Sequence, residues 1–260
     1  MTLFSDTGYL FVRYLKKLVR NPILLFFSLF QPIIFLLLFT QLFSKFSSLQ
    51  NFTEFSGGAS SYLEFATAGI LLQNAFGSAL QSGTSIVLDL DTGYLQKMLV
   101  TPVSRYAILL GRLTSDAFRV VVQSAIILVL AYALGATVAT GIVGILLMLF
   151  IVAFFGLAWS GISLAIGLKT RSSETVFAIG GFLTFPLLFM STALTPKGFM
   201  PNWISDISNF NPISYTVDAA RALMVTGYDW GTVLKAFGVI GLIAVVTLGA
   251  TLYLFRKVVS

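Results

Sequence analysis

The chain has 260 residues, 57% of them apolar and 10% charged, with sixteen Lys and Arg against ten Asp and Glu. A soluble domain is about 25% charged, so this composition and a mean hydropathy of +0.93 place the chain in a membrane. There the basic surplus reflects orientation rather than nucleic acid. The absence of cysteine and histidine removes disulfides, thiolate chemistry and the commonest general base and metal ligand, which argues against a hydrolytic or metal-dependent active site.

The first element is the stretch GYLFVRYLKKLVRNP. On a helical wheel Arg13, Lys16, Lys17 and Arg20 fall within about 100° of arc, taking 100° per residue. Phe11, Leu15, Leu18 and Val19 lie opposite. The pattern predicts a helix in the plane of the membrane interface, ended by Asn21-Pro22 because a residue before proline avoids the α region. An ordinary basic flank is the alternative. Six stretches then approach the roughly 20 apolar residues that a crossing requires: Ile23–Phe43, Tyr62–Leu88, Ser115–Leu134, Ile142–Gly167, Val176–Leu194 and Val233–Phe255. The first is too long for a signal h-region. Pro186 interrupts the fifth. With the N-terminus inside, twelve of the sixteen Lys and Arg fall on the cytoplasmic side and four outside, so both termini are expected in the cytoplasm of a multi-pass cell-membrane protein.

Between the first two spans, Ser44 to Ser61 is polar, holds Gly57-Gly58 and reads as a flexible connection. The second span carries Thr67, Asn74, Ser78, Gln81, Ser82 and Ser85 along one helical face. Such a stripe should meet protein or a water-filled path, and Thr67, Asn74, Ser78 and Gln81 are candidates for a substrate path. Ala75, Ala79 and Gly83 form an adjacent seam of small residues suited to close helix approach.

The stretch DTGYLQKMLVTPVSR comes next. Tyr94, Leu95, Met98 and Leu99 make one apolar face, and Gly93, Gln96, Lys97 and Val100 the other. The face reads as filling a groove on a protein partner, with Gly93 allowing close approach and Lys97 facing Asp89 and Asp91. A helix lying on lipid is the plainer alternative. Thr101 is expected to cap a new helix with Pro102 at its first position, on which Arg105, Arg112 and Arg119 share a face. In the fifth span Phe182, Phe185 and Phe189 share a face, which is either a lipid-facing stripe or part of the path.

Leu194 to Trp230 is too long for a turn and too apolar for a solvated loop. Two short helices are expected there, near Trp203–Ile207 and over Ile213–Met224, the second capped by Asn211 with Pro212 at its first position. Asp218 and Arg221 would pair at i,i+3, so that reversing both charges should restore part of the function lost in either single change. Trp203, Tyr215, Tyr228 and Trp230 suit the interfacial aromatic belt.

Two of these stretches, Asp91-Thr92-Gly93-Tyr94-Leu95 through Leu99-Val100-Thr101-Pro102-Val103-Ser104-Arg105 and the later NPISYTVDAAR, resemble type-2 ABC exporter permeases, above all the daunorubicin-resistance-like drug-efflux branch. The resemblance spans nearly the whole chain. It implies an all-α integral membrane protein forming a single permease domain, residues 1–260, with six transmembrane helices and no nucleotide-binding domain. Gly8–Arg20, with Phe11, Arg13, Leu15, Lys16, Lys17, Leu18 and Arg20, would be the interfacial elbow helix. Asp89, Asp91, Gly93, Tyr94, Leu95, Lys97, Met98, Leu99 and Pro102 would form the coupling helix that contacts an ATPase. Phe199–Met224 would supply outer re-entrant helices closing the exit, with Asn211, Pro212, Tyr215, Asp218 and Arg221 as gate residues. The resemblance further implies two permease copies, identical or closely homologous, paired with two separate ABC ATPase subunits. No GxxxxGK[ST] motif occurs in the chain, so no cofactor is expected in it, and ATP and Mg would be bound by the partner.

Twenty-five phenylalanines favour a hydrophobic or amphipathic cargo moved outward between the copies. Export of polysaccharide or lipid-linked glycan is the alternative within the family. A self-sufficient secondary transporter is the alternative outside it, disfavoured because no evident carboxylate lies in a span interior.

Overall fold

The computed structural model describes residues 3–259; Met1, Thr2 and Ser260, the ends of the expected domain, lie outside them. The described chain is about 83% helix, with no strand among the described residues. In chain order the helices are α1 (Leu3–Val19), α2 (Pro22–Leu42), α3 (Phe52–Phe55), α4 (Tyr62–Asp91), α5 (Tyr94–Leu99), α6 (Arg105–Ala133), α7 (Gly141–Thr170), α8 (Ser173–Phe189), α9 (Asn202–Ser208), α10 (Pro212–Val225) and α11 (Trp230–Val259). Among the described residues four segments are long and apolar enough to cross a membrane: Leu25–Leu42, Arg105–Ala133, Gly141–Thr170 and Trp230–Lys257.

Helix α4 has the length of a crossing but not the hydropathy. It lies in the middle of the bundle, buried along most of its length. Lipid therefore does not select its surface; its neighbours do. The predicted small-residue seam runs against α7. A Cβ on Gly83 would lie 2.5 Å from the Ser163 carbonyl oxygen, and one on Gly156 would lie 3.6 Å from Ala75. Pairs that rise together in number, Ala75 with Gly156 and Gly83 with Ser163, show that α4 and α7 run in the same direction. Helix α11 joins them in parallel, with Phe237 against Phe150 and Thr251 donating to the Gly161 carbonyl. Helix α6 runs the opposite way, with Asn74 beside Ser124 and Ser82 beside Asp116.

One end of the bundle gathers α1, α5, the start of α6 and the end of α11, where Arg256 meets Tyr106. Most of the basic residues lie at this basic end. The other end holds the loop before α4, the α6–α7 turn, α9 and α10. That loop is not the flexible connection expected from its polarity. It carries a 3-10 turn over Ser44–Ser48 and the short α3. Phe52 is buried, and Phe46 and Phe55 both pack edge-on against Phe199. Three loop phenylalanines have no reason to stay in water when an apolar cap is within reach.

The predicted spans mostly fall inside longer helices. The third begins ten residues into α6, whose first turns place Arg105 and Arg112 among apolar residues and are already helical. The fifth is shorter than expected and ends at Phe189, with Pro186 in its last turn.

Candidate functional site

At the basic end Gly93, in the left-handed region at φ 67°, turns the chain from α4 into α5. A side chain there would be strained. The expected apolar face does not point outward. Leu95 and Met98 are buried beside Leu10, Tyr14 and Ile108 in the chain's own core, and Tyr94 and Leu99 are half-buried. The Arg13 guanidinium lies 3.7 Å from the Tyr94 ring centroid, and its Nη1 donates to the Met98 sulfur at 3.4 Å. The docking reading is thereby corrected for Leu95 and Met98: apolar side chains at a helix corner are better buried by neighbouring helices than kept for a partner. What α5 and its flanks leave outward is Asp91, Gln96, Lys97, Val100 and Pro102, with Val100 87% exposed.

Helix α1 is amphipathic in a different sense from the expected one. Its buried stripe is Asp6, Leu10 and Tyr14, adjacent to Arg13 and Lys17 rather than opposite them. Phe11, Leu15 and Leu18 are half-buried, and Lys16 and Arg20 face out. The basic arc is thus divided, one half binding the protein and the other left on the surface. The wheel missed this because it treats all cations as water-seeking. The predicted Thr101 cap is also corrected. Helix α6 begins at Arg105, Thr101 donates to the Met98 carbonyl, and the Asp6 carboxylate accepts the Ser104 N–H at 3.3 Å.

Asp89 is 2% exposed and ion-paired to Arg112 and, at 2.9 Å, to Lys17. Lys97, expected to face Asp89 and Asp91, instead points to solvent. A buried ion pair is strongest where both partners are desolvated, and Arg112 is. Its Nη1 donates to the Ser82 carbonyl at 3.3 Å, and its guanidinium sits 4.7 Å from the Tyr14 ring centroid.

Two turns on, Arg119 meets the polar stripe of α4. Nε donates to the Ser78 hydroxyl at 2.8 Å, Nη1 to Gln81 at 2.7 Å and Nη2 to the Ser78 carbonyl at 2.7 Å. Asp116 pairs with Arg119 at 3.2 Å and accepts from Ser82. The stripe is therefore answered largely from within the chain, by α6. Thr67 is buried and donates to the Leu63 carbonyl. The seven-residue step from Arg112 to Arg119, which keeps both on one face of α6, was the signal for this pairing. Arg105, on the same predicted face, is exposed.

Asn74, Ser78, Gln81 and Phe185 line one cavity of about 220 Å³, together with Gln31 of α2 and Phe177 of α8. A second cavity, of about 390 Å³, adjoins it toward the basic end and shares Gln81 and Phe177. Phe182 and Phe189 stand on the outer surface of α8, 81% and 62% exposed.

At the opposite end Asn211 caps α10 through the Ile213 N–H at 3.0 Å. Its amide also donates to the Leu187 and Met190 carbonyls at the end of α8. Pro212 is the first residue of α10, and Tyr215 donates to the Asn209 carbonyl at 2.6 Å. Asp229 caps α11, its carboxyl held below the ordinary range chiefly by the Thr232 hydroxyl. Asp218 and Arg221 pair at 3.0 Å. Arg221 is also buried, lies 3.8 Å from the Phe65 ring centroid, and donates to the Phe65 and Thr192 carbonyls. This overturns the expected rescue by double reversal, because a carboxylate at 221 would face two carbonyl oxygens. Asp218→Asn should lose about 1 kcal/mol or less, as a partly exposed pair. Arg221→Asp and the double reversal should both lose at least about 3 kcal/mol, measured as thermal retention of folded protein. Recovery in the double reversal would show that the pair alone matters.

The sequence profile of the ABC-2 type transporter family matches residues 6–225. The chain is 35% identical over 242 residues to the transport permease ycf38 of Cyanophora paradoxa, covering 84% of this chain and 77% of that one. It is 30% identical over 203 residues to the daunorubicin resistance ABC transporter permease protein DrrB1 of Streptomyces coeruleorubidus, covering 78% and 69%. To the inner membrane transport permease YhhJ of Escherichia coli K12 it is 25% identical over 185 residues, covering 69% and 48%.

Proposed function

The chain belongs to the ABC-2 type transporter family, and we propose that it is the membrane permease of an ATP-driven exporter of hydrophobic or amphipathic compounds. As a multi-pass transport permease it is not an enzyme, and permeases of this family work with a separate ATPase. In our reading the basic end is cytoplasmic, the chain crosses six times, and two copies assemble with two ATPase subunits. The parallel course of α4, α7 and α11, with α6 running against them, favours that count. Drug resistance in the name of one relative and the phenylalanine-lined cavity beside Gln81 favour such a cargo.

The observation that carries the reading is the α5 corner. It presents Gln96, Lys97 and Val100 outward while Leu95 and Met98 lock it into the core. A surface held this rigidly can pass motion of a bound ATPase to α4 and α6. The α1 residues Arg13 and Lys17 brace that corner and Asp89. Asn211 ties α8 to α10, and Arg221 ties α10 to α4, as a closing element at the outer end would require.

Purified alone, the chain should hydrolyse no ATP; with its ATPase it should, and amphipathic compounds should stimulate turnover. Hydrolysis by the pure chain that a substitution within it abolishes would refute the proposal.

A further inference from the structure

The cavity of about 390 Å³ at the basic end is lined by residues of α1, α4, α6 and α8, and the role given to α5 makes no use of it. Its charged lining is Lys17, Arg112 and Arg119, with Asp116 the lining carboxylate among the described residues. Asp116 is already held by Arg119 and Ser82, and Asp89 is held by Arg112 and Lys17. Three cations thus face two carboxylates, and one positive charge is left over. The Arg112 Nε–H and the Tyr14 hydroxyl are buried beneath this lining beside each other, out of reach of an occupant. The Lys17 side chain, 42% exposed, is the accessible cation, and an acidic group with several acceptor oxygens beside it would balance the extra charge.

The rim differs from the floor. Leu88 and Phe177 line the cavity and are 50% and 54% exposed, so hydrocarbon edges surround a cationic interior. Phe177 and Gln81 continue into the adjoining cavity between α2 and α8. A small aqueous anion would gain nothing from apolar edges or from that extension, whereas an acidic head on an apolar chain would use both.

We propose that this cavity binds an anionic amphiphile, its phosphate or carboxylate at Lys17 and its chain running past Phe177. As a statement about cargo this rests on the export reading; as a binding site it does not. The same chemistry has two sources, a resident membrane phospholipid or a transported compound.

The test uses the purified chain, without ATPase, in phosphatidylcholine nanodiscs. These carry a trace of photoactivatable phosphatidylglycerol or, in parallel, of photoactivatable phosphatidylcholine. Labelling of the 81–88 and 173–177 peptides should be about tenfold stronger with the anionic probe, the discrimination expected of one charge-assisted contact. Lys17→Gln, at a side chain 42% exposed, should bring it down to the phosphatidylcholine level, and Lys17→Arg should restore it. Thr84→Trp fills the same cavity without removing a charge and should abolish labelling by both probes. Equal labelling by the two head groups overturns the site, as does labelling indifferent to both Lys17→Gln and Thr84→Trp. A photoactivatable alkylamine that labels better than the anionic probe, and loses its label in Asp116→Asn, also overturns it. Because no ATPase is present, failure here leaves the export reading standing. Adding ATPase and ATP then separates the sources: label lost on turnover marks cargo, label retained marks a resident lipid, and both uphold the site.

Discussion

Replacing Arg112 with glutamine should remove about 3–5 kcal/mol of stability, the usual effect of breaking a buried pair from one side. Asp89 would keep one partner, Lys17, whose side chain is 42% exposed and therefore screened. The Ser82 carbonyl would lose a donor, and the Tyr14 ring would lose the cation stacked on it. The expected readout is a collapse of the monodisperse fraction after mild heating. The Asp89→Asn, Arg112→Gln double variant should recover most of it, since neutral amides of similar size leave no unpaired charge. Arg112→Lys should be intermediate, because an ammonium cannot reach both Asp89 and the Ser82 carbonyl as the guanidinium fork does. If Arg112→Gln matched the native chain, the pair would carry no structural load and its burial would need another explanation.

Changing Lys97 to Glu and Val100 to Asp together should leave folding intact, because both side chains face solvent, yet should weaken capture of the ATPase by at least about thirtyfold. That factor corresponds to about 2 kcal/mol, the threshold for a residue central to an interface. Leu95→Asp must behave differently. At 1% exposure it would bury a charge among Leu10, Ile108 and Leu164 and should abolish the folded permease itself. The contrast separates a docking surface from the core that supports it. Native-level capture by the Lys97→Glu, Val100→Asp chain would move the ATPase contact to the α7–α8 turn, Lys169 to Thr175, or to α1.

Sequence alone determined the properties that solvent dictates. Membrane residence, the absence of thiol and imidazole chemistry, and the position of most long helices can be read residue by residue. The free energy of apolar side chains in lipid acts in the same way, one residue at a time. Local capping was legible at one of two predicted sites: Asn211 with Pro212 specified the start of α10, whereas the same signature at Thr101 and Pro102 did not start α6, which begins at Arg105. The small-residue seam of α4 was legible too, since only small side chains let another backbone come close. Tertiary structure decided where polar groups point. Whether Arg13 and Lys17 sought water or protein, whether Met98 faced a partner or the core, and whether Ser78 and Gln81 met a path or Arg119 turned on residues from 38 to 85 positions away in the chain. A charged side chain has an apolar stem and a polar head, so its preference is set by the partner brought to it. Here that partner arrived only when α1, α4 and α6 packed together.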